Sequence, residues 1–283
     1  MNIGFIDFYL DEWHANNYPA WIAEASGGKA RVTDAWALID SPRPGGRTSA
    51  RWCTDLGIRL AASQEELVAR CDAIIVLSPD NSEMHEALCQ VPLRSGKPVY
   101  VDKTFAPGLA AAKRIFALAK AFGSPVFSSS ALRFAEEYRD VPPLLSFSSQ
   151  GPGSFETYAV HQLEPLVMLM KEVPEKVLAL GAEGRQTLVT AFHDGRFADI
   201  SCLGEGDFLT ILRTRDSVRA EAIQSDFFRA FIVELLAFFK TGASPVPMEE
   251  TLSIMALLEA GARALKRPGT WVYLHELEGM EHG

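Results

Sequence analysis

The chain has 283 residues, of which 48% are hydrophobic and 22% charged, and its formal net charge is −9. That is the composition of an ordinary globular protein, long enough for one large domain or two of usual size. The acidic balance, with no stripe of Lys or Arg, excludes nucleic acid as an expected partner and disfavours an anionic membrane surface. Cys53, Cys71, Cys89 and Cys202 form no CxxC pair, so free thiols in a reducing compartment are expected. No basic segment leads into an apolar run at the N-terminus. The longest apolar stretch, FIVELLAFF (231–239), is interrupted by Glu234 and too short for a bilayer. A cytoplasmic location without membrane attachment is the resulting expectation.

NIGFID (2–7) reads as a short buried strand, and ARVTDAWALID (30–40) as a second strand ending on an acid. SQEELVARC (63–71) sets Ser63 three residues before Glu66, the spacing of a capping box at a helix start. DAIIVLS (72–78) is apolar and β-branched, and SEMHEALCQVPLRSG (82–96) predicts a helix closed by Gly96. PVYVD (98–102) and PVFSSS (125–130) are further strands. Between them PGLAAAKRIFALAKAFG (107–123) has Pro107 near its first turn and Gly123 just past its end, as a helix prefers. This alternation predicts an α/β fold: a Rossmann-like, doubly wound parallel sheet over residues 1–128.

The rhythm then changes. FETYAVHQLEPLVMLMKEV (155–173) predicts a helix, and residues 177–223 break into short alternating stretches separated by turns. Asp194–Gly195 is the strongest hairpin signal in the chain, with Glu205–Gly206 and Asp216–Ser217 weaker ones. Helices are expected over 225–242 and 248–269. Residues 129–283 therefore read as an α+β domain built on a mainly antiparallel sheet.

Several sequence features stand in a telling order. They are Ser78-Pro79-Asp80-Asn81, His85, Ala87-Leu88, Gly96-Lys97, Asp102-Lys103-Thr104, the Arg133-Phe134 pair, and His161 with Glu164 three residues on. This order resembles the Gfo/Idh/MocA family of NAD(P)-dependent oxidoreductases. In that family a strand ends in Thr-Pro-Asn, a His and an Ala-Leu helix follow, and a Gly-Lys turn leads to a strand ending in Glu-Lys-Pro. An Arg-Phe segment and a His-x-x-Asp helix come later, and the closing helices are also similar, so the resemblance covers most of the chain. It implies hydride transfer between NAD or NADP and a polyol, sugar or related hydroxy compound. It also implies a homo-oligomer joined through the second-domain sheet.

The resemblance implies that Lys103 assists proton transfer from a substrate hydroxyl, with His161 and Glu164 completing the catalytic group. It implies that Ser78, Pro79, Asn81, His85 and Asp102 face the cofactor, and Arg133, Glu156 and Thr157 the substrate. Read from the residues alone, a Lys closing a parallel strand points into the crevice where such sheets bind ligands. The plainer alternative is an ion pair of Lys103 with Asp102. A satisfied core histidine is the plainer alternative for His161. The family's Asp four residues before this His is Thr157 here, with Glu156 one position earlier, and Pro165 threatens the helix. HxxE is also a metal-like spacing, but nothing completes a ligand set, and no metal is expected.

The departure comes at the first turn. A dinucleotide site needs glycines there, yet NIGFID continues as FYLDEWHANNYP. Asp7 stands where the first glycine belongs. A carboxylate about 4 Å from a phosphate costs about 1 kcal/mol in water and about 4 kcal/mol at a surface-like dielectric. One of Asp7, Asp11 and Glu12 is readily explained as a helix N-cap, and Asp11 is the candidate. Asp40 is placed for an adenosine ribose, while Arg43 and Arg47 would suit a 2′-phosphate. Two readings follow. In one, an oxidoreductase holds its pyrophosphate away from these acids. In the other, the fold is kept without the dinucleotide, and Asp7, Asp11, Glu12, Trp13, His14, Asn16 and Asn17 bind a small cationic or sugar-like ligand. The second would be a non-redox binding or regulatory protein.

Overall fold

A computed structural model describes residues 1–182 and 184–280. The chain divides into two compact units, Met1–Pro107 with Ala111–Ser129 and Phe231–Met248, and Gly108–Ala110 with Ser130–Ala230 and Glu249–Gly283.

The first unit begins with β1 (Asn2–Asp7), α1 (Trp13–Ala25), β2 (Arg31–Ala37), α2 (Ser49–Leu56), β3 (Arg59–Leu60), α3 (Gln64–Arg70) and β4 (Ala73–Val76). α4 (His85–Leu88), β5 (Val99–Val101), α5 (Leu109–Phe122) and β6 (Val126–Phe127) follow. The six strands are all parallel in the order β3-β2-β1-β4-β5-β6. The order reverses between β1 and β4, so the C-terminal ends of these strands flank the crevice where open α/β sheets take ligands.

Local sequence explains most of these elements. Ser63 caps α3, its Oγ accepting from the Glu66 amide at 3.2 Å, while Glu66 Oε2 accepts from the Ala62 amide at 2.7 Å. Gly4, inside β1, is demanded by packing: a Cβ there would lie 2.4 Å from Leu67 Cδ2. The helix expected over 82–96 is broken into a 3₁₀ turn at Ser82–Met84, the single turn of α4, and a second 3₁₀ turn at Pro92–Arg94. Pro92 has no N–H to continue a helix, and its ring crowds the preceding turn. β2 stops at Ala37, three residues short of Asp40, although the Leu38 and Ile39 amides still bond the carbonyls of Asp7 and Phe8. An aromatic core packs within this unit: Tyr100 meets Phe231 at 5.2 Å between centroids, and Phe127 meets Phe238 at 4.7 Å.

The second unit supplies β7 (Ser146–Gly151), α6 (Phe155–Met170), β8 (Lys176–Ala182), β9 (Arg185–Ala191), β10 (Phe197–Cys202), β11 (Leu209–Arg213) and β12 (Val218–Ala222). After α7 (Phe227–Thr241), most of which belongs to the first unit, come α8 (Met248–Leu265) and β13 (Val272–Tyr273). The sheet runs β12-β11-β7-β10-β9-β8-β13, antiparallel except where β7 lies parallel to β10. Asp194–Gly195 closes the β9–β10 hairpin with Gly195 at φ +83°, and Asp216–Ser217 closes β11–β12. Glu205–Gly206 does not close a hairpin, because β7 lies between β10 and β11 in the sheet. α6 continues through Pro165, with Leu163 and Leu166 fully buried. Among the described residues no helix is long and apolar enough to cross a membrane. Cys53, Cys71, Cys89 and Cys202 are buried free thiols, and burial pushes all four upward in pKa, keeping them protonated and inert.

Candidate functional site

The acids of the first turn have three different fates. Glu12, and not Asp11, is the N-cap of α1. Its Oε2 accepts from the His14 amide at 2.7 Å and its Oε1 from the Ala15 amide. Cap preferences favour the shorter Asp, but Asp11 is drawn away by Arg47. Asp11 Oδ1 accepts from Arg47 Nε at 3.0 Å and Nη2 at 2.6 Å, and Oδ2 accepts from the Arg47 amide at 2.8 Å. Burial raises the Asp11 carboxyl, but these bonds outweigh it and hold the group below the usual carboxylate range. Asp7 is 1% exposed. Its Oδ1 accepts from the Phe8 amide at 2.7 Å, and Oδ2 has no hydrogen-bond partner among the described residues. Burial, reinforced by Glu12 and Asp102, raises Asp7 well above the usual range. Burial also pushes Glu12 up to about 7, against the opposing pull of His14.

A buried pair ties this turn to β5. His14 Nδ1 lies 2.5 Å from Asp102 Oδ2, and the His14 ring stacks on Tyr18 at 5.1 Å. Asp102 Oδ1 accepts from the Lys103 amide at 2.9 Å and lies 3.1 Å from the Tyr100 hydroxyl. Burial pushes His14 down and Asp102 up. Their mutual attraction outweighs both, so His14 ends above and Asp102 below its ordinary value. Asp102, 1% exposed, therefore faces inward and is a support for the crevice wall. The half-buried Lys103 directs its ammonium to the Pro79 carbonyl at 3.3 Å.

The remaining first-unit residues sort by exposure. His85 is fully buried, with Nε2 2.7 Å from the Leu77 carbonyl and Nδ1 3.0 Å from that of Phe105. Burial lowers its pKa, and with no exposed surface it braces the ends of β4 and β5 without reaching a ligand. Ser78 is likewise buried, at φ +84°, its hydroxyl donating to the Asn81 carbonyl at 3.0 Å. Pro79 and Asn81 are half-buried, and Asn81 donates to Glu83 at 2.9 Å. Asp40 sits in the loop after β2, exposed, accepting from the Ser49 amide at 2.6 Å. Arg43 reaches Tyr9 Oη at 3.1 Å and Asp80 at 3.3 Å. Trp13 is 50% exposed, and Asn17 bonds back to the Trp13 carbonyl at 2.7 Å. The acid-lined pocket expected as an alternative does not form, since Asp7 and Glu12 point inward and Asp11 is paired.

In the second unit, His161 Nδ1 lies 2.7 Å from Ser130 Oγ, with Tyr158 and Phe208 edge-on to its ring. Glu164, 3% exposed, accepts from the Ser130 amide at 3.1 Å and from Arg133 Nη1 at 3.3 Å. Arg133 also bonds Glu250. Arg133 is 6% exposed between two carboxylates, so it holds the scaffold and presents no free guanidinium face to a substrate. Glu156 and Thr157 are exposed in the first turn of α6, with Thr157 Oγ1 3.1 Å from Ser154 Oγ. Among the described residues no group of three or more His, Cys, Asp or Glu is placed to hold a metal. Sequence reasoning missed Ser130 and Tyr100, because a lone Ser or Tyr is unremarkable until its partners, here His161 and Asp102, are known.

A dinucleotide pyrophosphate ordinarily takes the first-turn amides of the helix after β1. Here the His14 and Ala15 amides already bond Glu12, Tyr9 and Leu10 are buried beside them, and residues 5–26 contain no glycine. The residues present do not fit a pyrophosphate at that position.

Residues 21–129 match the model of an oxidoreductase family with an NAD-binding Rossmann fold, starting beyond this turn. None of the curated proteins compared matches the sequence. Scyllo-inositol dehydrogenase from Lactobacillus casei, solved with NAD(H) and scyllo-inositol, superposes with a TM-score of 0.78 at 12% identity, covering 97% of this chain and 99% of that one. An oxidoreductase from Agrobacterium radiobacter, solved with NAD+, L-tartaric acid and magnesium, gives 0.77 at 12% identity over 98% and 99%. At such identities the likeness is one of fold.

The raised Glu12 pKa sets a pH dependence. The folded chain keeps a proton up to about 7 that an unfolded Glu releases near 4.5. Relative to Glu12→Gln, the wild-type chain should therefore be most stable below 4.5 and lose ground as pH rises to about 7, by up to about 3 kcal/mol. Urea unfolding of both proteins across that interval checks this; a stability difference that does not change with pH would show that Glu12 titrates as in water.

Proposed function

Because residues 21–129 match the model of the Gfo/Idh/MocA oxidoreductase family, we propose that the chain transfers a hydride between a nicotinamide dinucleotide and a CH–OH carbon of a polyol, sugar or related hydroxy compound. The observation that carries this reading is the placement of Lys103. It follows β5 at the C-terminal edge of the parallel sheet, half-buried, with its ammonium on the Pro79 carbonyl. Asp102 engages His14 and the Lys103 backbone amide; the Lys103 side chain, as the ammonium, would give a proton to the substrate oxygen when a carbonyl is reduced and, as the amine, would take the hydroxyl proton in the reverse direction. In the second unit His161 is the other proton-handling group in this proposal. Glu164 acts through Ser130 and Arg133 as a positioning residue, because both its oxygens are engaged and it is buried.

NAD is favoured over NADP in this reading. Asp40 offers an exposed carboxylate for a ribose, whereas Arg43 is held by Tyr9 and Asp80, and Arg47 by Asp11. Cofactor binding separates this reading from that of a non-redox protein which keeps the fold. Fluorescence titration should show saturable NADH binding at or below millimolar concentration and weaker NADPH binding. Lys103→Met should lower kcat toward polyols or sugars by about 10²–10⁴ with a smaller change in KM. An absence of binding at millimolar cofactor would leave the non-redox reading.

The proposal includes a homo-oligomer formed through the outer face of the seven-stranded sheet. Leu209 and Ile211 stand 38% and 48% exposed there, near Ser148, Gln150 and Asp199. The buried free thiols also suit a cytoplasmic protein. Light scattering should report more than one chain per particle, and Ile211→Asp should shift it to the monomer; a wild-type monomer at tens of micromolar rejects the interface.

A further inference from the structure

We infer that Glu12 is a built-in occupant of the anion position at the start of α1, so that this chain does not hold the phosphate of any ligand on that turn. The inference concerns the chain's own wiring and stands whether or not the proposed activity does.

The geometry is that of a ligand mimic. A phosphate at a helix N-terminus takes the backbone amides of the first turn. Both oxygens of Glu12 take those of His14 and Ala15, and the Glu12 carbonyl accepts from the Asn16 amide at 3.0 Å. Glu12 is 2% exposed, so it cannot swing into water without reorganising its surroundings. The turn itself is anchored: the Glu12 amide donates to the Leu10 carbonyl at 2.9 Å, and Tyr9 and Leu10 are buried.

The neighbours argue the same way. Asp7, 1% exposed, has one oxygen without a partner among the described residues, and Asp102 closes the other side through His14. A phosphate placed here would meet carboxyl groups in a confined space. The nearby guanidinium groups are committed elsewhere: Arg47 to Asp11 and Asn16, and Arg43 to Tyr9 and Asp80. Ligands of this edge are therefore those whose contact with the turn is uncharged or hydroxylic, and any dinucleotide must be held by its ribose and nicotinamide ends.

The test uses the full ¹⁵N-labelled chain, titrated separately with inorganic pyrophosphate and with NADH while the His14 and Ala15 amide resonances are followed. Neither probe should shift these two amides in the wild-type protein at millimolar concentration. Glu12→Ala empties the amides and should show saturable pyrophosphate-induced shifts there, with affinity at least tenfold above wild type. Glu12→Gln, which keeps a single acceptor oxygen without charge, should fall between them and confirms that the effect does not come from a damaged fold. Saturable shifts of the two amides in the wild-type chain, or no gain in Glu12→Ala, would overturn the inference. NADH shifts confined to the Ser78–Asn81 segment would support it alongside the proposed activity. No NADH shifts anywhere would reject that activity while leaving the inference intact.

Discussion

The contact between His14 Nδ1 and Asp102 Oδ2, 2.5 Å long and almost wholly buried, fixes the arrangement of the crevice. It joins the first turn of α1 to the end of β5, two segments separated by the whole of the strand-order switch in sequence. Because Asp102 also receives the Lys103 amide, the position of Lys103 depends on a histidine far away in the chain. Removing either partner would leave the other as an uncompensated buried group, and such losses are costly.

That pair also makes the acidity of the turn tolerable. Three carboxylates in six residues would repel one another if all were ionised and exposed. Instead Asp11 is neutralised by Arg47, Glu12 is bonded to helix amides and shifted upward, and Asp7 is buried and shifted well above the usual carboxylate range. His14 faces Asp102 across the same cluster. Charge is balanced inside the protein, where the usual members of this fold class leave room for a ligand's charge to be balanced by backbone amides. The departure is thus confined to one turn, while the sheet order and the rest of the strand ends keep the expected pattern.

Much of this was legible beforehand. The alternation of NIGFID, DAIIVLS and PVYVD with helical segments gave the parallel sheet, and Asp194–Gly195 gave a hairpin, because strand periodicity and turn chemistry are local properties. β7 was not foreseen: SFSSQG has a single apolar side chain, Phe147, and its strand character comes from pairing with β10 and β11. The cap was misassigned because propensity favours Asp over Glu, whereas the choice was decided by Arg47, 36 residues away. His85 and Arg133 carried the right residue types for ligand contacts, but burial and partners contributed by distant segments turned them into supports. Pair identity across long sequence separations is what the sequence alone withheld.

His14 and Asp102 form a buried pair on which the turn and Lys103 are hung. A ¹⁵N NMR titration of the His14 imidazole tests it most directly. His14 should titrate above the ordinary histidine value of 6.5 and fall in Asp102→Asn, where Glu12 alone is left to oppose burial. A wild-type His14 that titrates at or below 6.5, or one indifferent to the Asp102 substitution, would contradict it.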